Sequence, residues 1–416
     1  MTFVAKRLRF RNGERHSVLA VPGGLPVHEV TVFLARFRKR GRAANTIHGV
    51  CRTLALLYRE LTKAKVDVLA RLRQGEFLTI PELNSLAEAA QYWAIDLDDD
   101  DQVQEQSSNV VDIRRIGLKR KSQPSQRKAV DTGTAATRMR YIAQYLEFLS
   151  GYFGAALPVQ RRKALQSETT YALETFRAQI PKGSRRAKLG AREGLSREDQ
   201  DRVLAVVHPD SPNNPWQRGF VRQRNWVIVV LLLATGMRRG ELLGIQLGDL
   251  NPNQPKISIL RRADAKVDPR RIQPNTKTND REVEVRPAIM RVVLNHKDAR
   301  HEIKAARKHP LLIVNDDGEP LSLGSVDKIF MQLREACPGL PVRLTSHVLR
   351  HTWNERFSEE ADEMKLSEAS EQRARNEQQG WADNSKMAAT YTRRHASRKG
   401  REVALKLQEK LDVAEK

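Results

Sequence analysis

The sequence predicts a mainly α protein with a small antiparallel β-sheet, divided into two domains. Three observations carry that expectation. Apolar residues recur at helical spacing over 28–61 and again over 134–153. A stretch rich in Pro, Gly and basic residues, PKGSRRAKLGAREG at 181–194, breaks the chain. Beyond it, strand-like runs at 256–260 and 282–286 stand between helical segments. The length of 416 residues fits two or three domains at about 100–200 residues each.

Within 28–61 two helices are expected, joined by the basic turn RKRGRAAN with its Gly41. In the second, Ile47, Val50, Leu54, Leu57, Tyr58 and Leu61 form one stripe, with Asn45 or Thr46 as N-cap. Residues 96–132 have poor periodicity. Acidic residues, Asp96 and Asp98 to Asp101, precede the basic Arg114, Arg115, Lys119, Arg120, Lys121, Arg127 and Lys128, so a long loop or flexible insertion is expected. Over 134–153, Met139, Ile142, Tyr145, Leu146 and Leu149 share a face, while Arg138, Arg140 and Gln144 fall elsewhere.

The second domain begins near Leu195, where Ser196-Arg197-Glu198-Asp199 fits a helix start with a capping residue. Its longest apolar run, Trp226 to Ala234, is nine residues, too short for a membrane span and read as a buried helix. A third short strand is expected at Leu311–Val314, with Asp316, Asp317 and Gly318 as its turn, and an amphipathic docking helix at Val403–Val413. The N-terminus lacks the continuous apolar stretch of a secretion signal.

Composition narrows the partner. Lys and Arg number 73 against 50 Asp and Glu, a formal charge of +23 and a pI near 10.3. Such a surface attracts polyanions, and nucleic acid leads among them because each phosphate contact releases counterions. A ribosome-associated or anionic-membrane binder is the bland reading of the same charge. The two cysteines, Cys51 and Cys337, have no metal-ligand spacing and form no disulfide framework, which fits a reducing cytosol. No phosphate-binding loop of the ATPase type and no HExxH motif is present, so neither an ATP-driven motor nor that class of zinc enzyme is expected. Scattered carboxylates leave a two-metal nuclease site open.

The chemistry-bearing residues are spread over the second domain. ATGMRRGELLGIQLGDL holds Thr235, Gly236, Met237, Arg238 and Glu241; NTKTNDREVEV holds Lys277 in a polar turn; LTSHVLRHTW holds His347, Arg350 and His351; QGWADNSKMAATYTRRH holds Trp381 and Tyr391. His347 and Arg350 are three apart and share a helix face. Each residue alone has an ordinary reading. Arg238 would be an ion-pair partner, Lys277 a solvated turn residue, Trp381 core and Tyr391 a surface tyrosine in a basic patch. Lys256 and Lys266 compete with Lys277.

Taken in order, Arg, Lys, His-x-x-Arg, Trp and Tyr resemble the active-site signature of the tyrosine recombinase, or phage integrase, family. The specific likeness runs over about 195–395, in three boxes, Thr235–Glu241, His347–His351 and Gly380–Tyr391, with Lys277 between the first two. Residues 28–61 and 134–153 resemble the family's helical core-binding domain more loosely. Tyr391 follows Trp381 by ten positions, slightly longer than the family's spacing. A small loop insertion absorbs the difference and leaves open whether the tyrosine acts in its own subunit or a neighbour's.

The resemblance implies site-specific DNA recombination through a covalent 3′-phosphotyrosine, with no cofactor and no metal. Arg238 and Arg350 would grip the scissile phosphate, Tyr391 would attack it, and Lys277 would protonate the leaving oxygen. His347 would act as base or orient the phosphate, Trp381 would contact it, and Glu241 and His351 would support these groups. Candidate contacts to the duplex outside the active site are Arg138, Arg140, Lys182, Arg185, Arg186 and Lys188. The implied architecture is a two-domain DNA clamp: a helical core-binding domain over 1–180, a basic linker over 181–194 and a catalytic domain over 195–416. The implied partners are double-stranded DNA at specific recombination sites, three further copies of the chain in a tetramer, and accessory recombination proteins; no membrane is involved, and the compartment is the cytoplasm. A type IB topoisomerase and a catalytically silent DNA-binding accessory protein are the rival readings.

Overall fold

In the computed structural model, residues 3–21, 23–94, 128–182, 194–274, 276, 278–383, 385 and 399–409 are described. The chain divides into two compact units, Met1–Lys188 and Leu189–Lys416.

The first unit opens with a β-hairpin, a correction to the all-helical expectation. Strands β1 (Val4–Arg9) and β2 (Arg15–Ala20) pair antiparallel from Val4↔Ala20 to Arg9↔Arg15. The turn between them contains Asn12-Gly13, and Gly13 takes φ 95°, a left-handed conformation that glycine adopts without steric cost. Charged side chains at Lys6, Arg7 and Arg9 hide the period-two pattern, although Ala5 and Leu19 are fully buried in the unit's core. Two helices follow, α1 (His28–Lys39) and α2 (Ala44–Lys63). The second starts earlier than expected, with Ala43 as N-cap. Asn45 instead braces the hairpin, where its side-chain oxygen accepts from Arg7 Nη1 at 3.0 Å.

Helices α3 (Val68–Gln74) and α4 (Ile80–Ala89) lead to the long pair α5 (Thr132–Gly154) and α6 (Val159–Ala178). The stripe of α5 is buried as its spacing predicts: Met139, Ile142, Tyr145, Leu146 and Leu149 all lie in the core against α2. The Tyr58 and Tyr145 hydroxyls hydrogen-bond there at 2.7 Å. Most of the 96–132 insertion lies outside the described residues. Its end does not: Trp93 N–H donates to Lys128 O and Val130 N–H to Gln91 O, both at 2.8 Å, so the chain returns beside the point where it left.

The second unit is built around α8 (Gly219–Thr235), whose Val227, Ile228, Val229, Leu231 and Leu232 are fully buried. Helices α7 (Arg197–Val207), α10 (Pro287–His301) and α12 (Ser346–Glu363) pack on it. Helix α7 is N-capped by Ser196, whose Oγ accepts from Asp199 N–H at 3.0 Å. The chain enters the unit along α12: Gly194 N–H donates to Glu355 Oε1 at 2.9 Å and Leu195 N–H to Thr352 Oγ1 at 2.8 Å. The short α9 (Arg239–Leu242) follows α8. Strands β3 (Leu250–Asn251), β4 (Lys256–Ile259) and β5 (Arg281–Glu284) form one antiparallel sheet in the order β3-β4-β5. The remaining α-helical segments described in the unit are α11 (Leu323–Ala336), α13 (Glu368–Gln379) and residues 399–409, which are exposed.

The strand expected at Leu311–Val314 is absent. Its ends make isolated bridges, Gln246↔Leu311 and Val314↔Pro320, and its four side chains are buried. An apolar run of that length is satisfied equally by an irregular buried segment. No helix among the described residues is long and apolar enough to cross a membrane.

His296 on α10 is fully buried beside the Phe220 ring, at 5.4 Å between centroids. Burial, with the nearby Arg224 charge adding to it, lowers its pKa to about 4. Between that value and the ~6.5 of an unfolded chain, the unfolded state binds the extra proton. Stability is therefore full above ~6.5 and falls as pH drops towards 4, by up to about 3 kcal/mol at about 1.4 kcal/mol per unit. Urea unfolding at pH 7 and pH 5 checks this. The His296→Leu variant should show a flatter pH dependence, and an unchanged slope would remove His296 as its source.

Candidate active site

Three of the sequence boxes meet at the C-terminal end of α8. Such an end leaves carbonyls without helical partners. Here side chains from two other helices supply the donors. Trp353 Nε1 donates to Ala234 O at 3.1 Å, Gln379 Nε2 to Thr235 O at 3.1 Å, and Arg350 Nη1 to Gly236 O at 2.5 Å. Gly236 ends the helix with φ 61°, and a Cβ there would lie 2.7 Å from the Trp353 ring. Both the backbone angle and the space require glycine. Gly236→Ala is accordingly expected to cost at least about 2 kcal/mol, from left-handed strain plus overpacking. It should also slow any reaction that uses Arg350, because the carbonyl holding that side chain must move. A melting curve beside an activity measurement separates the two effects.

Arg350 is 3% exposed, and its guanidinium carbon lies 5.3 Å from the centre of the Trp381 ring. His347 and His351, one turn apart on α12, stack edge to face with centroids 4.4 Å apart; His347 is exposed and His351 buried. Trp381 is delivered by a Schellman ending of α13. Gly380 takes φ 61°, its N–H donates to Glu377 O at 3.1 Å, and Trp381 N–H donates to Asn376 O at 2.8 Å. Gly380 O also accepts from Asn279 N–H at 2.8 Å, which joins this turn to the segment leading into β5.

Arg238 is the half-exposed residue between α8 and α9. Its Nη1 donates to Glu241 Oε1 at 3.1 Å, and its backbone N–H to Glu241 Oε2 at 3.1 Å. Glu241 is 1% exposed. Burial pushes its carboxyl up, but the Arg281 charge and hydrogen bond, with the hydrogen bond from the Arg238 backbone N–H and the charge of Arg350, hold it below the usual carboxylate range. It is a buried anion among arginines.

Arg238, Glu241, His347, Arg350, His351 and Trp381 thus come from segments far apart in sequence to one region. Lys277 and Tyr391 lie outside the described residues, as do Arg185, Arg186 and Lys188. Of the rival lysines, Lys256 pairs with Glu284 across β4 and β5 at 3.3 Å. In the first unit Arg140 and Lys182 are exposed. Arg138 is half-buried and its Nη1 donates to Ala90 O at 3.2 Å and Tyr92 O at 2.7 Å, so its guanidinium ties α5 to the end of α4.

Sequence reasoning missed Trp353, Gln379, Thr278 and Arg281. Arg281 was legible in one respect. In β5 it shares the inward register with Val283, and a charged residue at such a position signals a buried partner.

Residues 198–398 match the model described as "Phage integrase family". Those residues belong to the phage integrase family. The matched stretch begins in α7 and includes all three boxes as well as Lys277 and Tyr391. A curated relative, "Tyrosine recombinase XerD" of Halalkalibacterium halodurans, is 28% identical over 179 residues, 43% of this chain and 51% of its own length. The chain therefore spans about half the length of that relative. Among solved structures, a lambda integrase (75-356) dimer bound to a COC' core site is 14% identical, with 86% of this chain and 95% of that one covered and a TM-score of 0.47. The XerH recombinase in a post-cleavage complex with palindromic difH substrate is 15% identical, covering 66% and 82%, with a TM-score of 0.42.

Proposed function

We propose that the chain is a site-specific DNA recombinase that cuts and rejoins DNA through a 3′-phosphotyrosine, serving integration or excision of a mobile element. The observation that carries this reading is the meeting of Arg238, Glu241, Arg350, His347 and Trp381 around one helix end, within a phage integrase family segment.

Arg238 and Arg350 present planar guanidinium groups that hold the non-bridging oxygens and stabilise charge as the phosphorus becomes five-coordinate. The Tyr391 oxygen attacks phosphorus and gives up its proton to a base, for which His347 is the candidate. The bond to the 5′-oxygen breaks, and Lys277 gives that oxygen a proton. In the second half the 5′-hydroxyl of another strand attacks the phosphotyrosine and releases Tyr391. One phosphodiester replaces another, so the cycle consumes neither ATP nor metal.

Residues 1–180, with the insertion near 96–132, would form the core-DNA-binding domain, 181–194 the linker and 195–416 the catalytic domain, closing as a clamp on duplex DNA. Joining two duplexes calls for four protomers, with accessory recombination proteins as further partners, in the cytoplasm beside the DNA. The basic surface, +23 overall, supplies the sequence-independent part of affinity.

The test is covalent trapping. The chain is incubated, without metal or ATP, with nicked duplexes carrying the ends of the DNA element around its gene, and the products are run on a denaturing gel. A slow-migrating protein–DNA adduct is expected. Tight binding with no adduct would replace the recombinase with a silent DNA-binding protein.

A further inference from the structure

We propose that Arg281 is a positioning residue of this site: it occupies the buried Glu241 carboxylate, so that the Arg238 guanidinium is left for the phosphate. The inference rests on the reading of Arg238 as a phosphate-gripping group.

Glu241 has no access to water, and its two oxygens divide four donors between them. Oε2 accepts from Arg281 Nη2 at 2.7 Å and from Arg238 N–H at 3.1 Å. Oε1 accepts from Thr278 Oγ1 at 2.9 Å and from Arg238 Nη1 at 3.1 Å. The two arginines differ in kind. The Arg281 side chain is 5% exposed and the Arg238 side chain 28%. Every guanidinium nitrogen of Arg281 donates a hydrogen bond within the protein, with Nε on Gln378 O at 2.9 Å and Nη1 on Thr278 Oγ1 at 3.0 Å beside Nη2 on Glu241. It is a fixed counter-ion, tied also to the end of α13 that delivers Trp381. The Arg238 guanidinium touches the carboxylate through one nitrogen, Nη1, and its side chain is the more exposed of the two.

A buried carboxylate cannot remain without a counter-charge. Without Arg281, the nearest cation is Arg238, and the carboxylate draws it inward as a two-pronged partner. The phosphate then loses a donor. Arg281 therefore sets how strongly Arg238 is held back, and through its Gln378 contact it couples that setting to the placement of Trp381.

The experiment measures single-turnover adduct formation on the nicked duplexes above, DNA affinity by titration, and folding by thermal melting. Arg281→Gln is expected to slow adduct formation about a hundredfold, the weight of one transition-state donor, with DNA affinity nearly unchanged. The double variant Arg281→Gln/Glu241→Gln removes both charges and should recover to within about tenfold of the unmodified chain, because no anion remains to draw Arg238 in. A residue that only filled space would give a double variant no faster than the single one, and that result overturns the proposal. So does an Arg281→Gln variant that cleaves at full rate. Should Arg281→Gln fail to melt cooperatively, Arg281→Lys takes its place. It keeps the charge, is expected within about tenfold of the unmodified rate, and a folded but hundredfold slower variant counts against the proposal. Absence of adduct with the unmodified chain would instead remove the recombinase reading itself.

Discussion

Tyr391→Phe is expected to abolish the protein–DNA adduct while leaving duplex affinity nearly intact. The substitution removes one oxygen and keeps the ring. Phenylalanine has no atom that can bond to phosphorus, so the loss is complete rather than graded. A neutral hydroxyl that makes one hydrogen bond to the duplex contributes about 1 kcal/mol, so affinity should change by about fivefold or less. An electrophoretic titration alongside the trapping gel reads both quantities. Equal adduct formation by the variant would assign the attack to another residue. Loss of binding together with cleavage would mean that the tyrosine segment holds DNA, and would leave its chemistry open. The prediction rests on the sequence order of the boxes and on Tyr391 falling inside the family segment at 198–398.

What the sequence made legible, and what it did not, follows from where each signal is stored. The core faces of α2 and α5 could be read because each repeats its apolar residues every turn, and burial of Leu54, Leu57, Met139 and Ile142 repays that pattern directly. The N-terminal hairpin could not be read so easily. Half of β1 is basic, and its apolar face is short. At the site, residues with distinctive chemistry were visible one by one, but the contacts that assemble them were not. Gln379 reaches Thr235 across 144 positions and Arg281 reaches Glu241 across 40. Glutamine and arginine are ordinary surface residues in a chain this charged. Their roles exist only once α13 and β5 have been folded against α8 and α9. Gly236 lies between the two cases. Its place after an apolar run is visible in the sequence, but the need for glycine comes from the Trp353 ring, which no local pattern announces.

Arg350→Ala should be the most damaging change among the described residues, and on two scores. The first is structural. Gly236 O would lose its donor at 2.5 Å, and the Trp381 ring would lose the cation above it. A buried carbonyl left without a partner costs about 1–3 kcal/mol, so the melting temperature should fall. The second is chemical. Removing a preorganised donor to a developing charge costs about a hundredfold to a thousandfold in rate, and a charged fork, the role proposed for Arg350, stands at the upper end of that range. Arg350→Lys separates the two. A lysine keeps the charge and can donate one hydrogen bond to Gly236 O, so stability should largely return. It cannot present two parallel donors, so adduct formation should stay well below that of the unmodified chain. If Arg350→Lys instead restores cleavage in step with stability, Arg350 serves the fold of the α8 end and the phosphate is held by other groups. If stability returns and cleavage does not, the planar guanidinium is needed at the phosphate itself, and the carbonyl of Gly236 is what aims it.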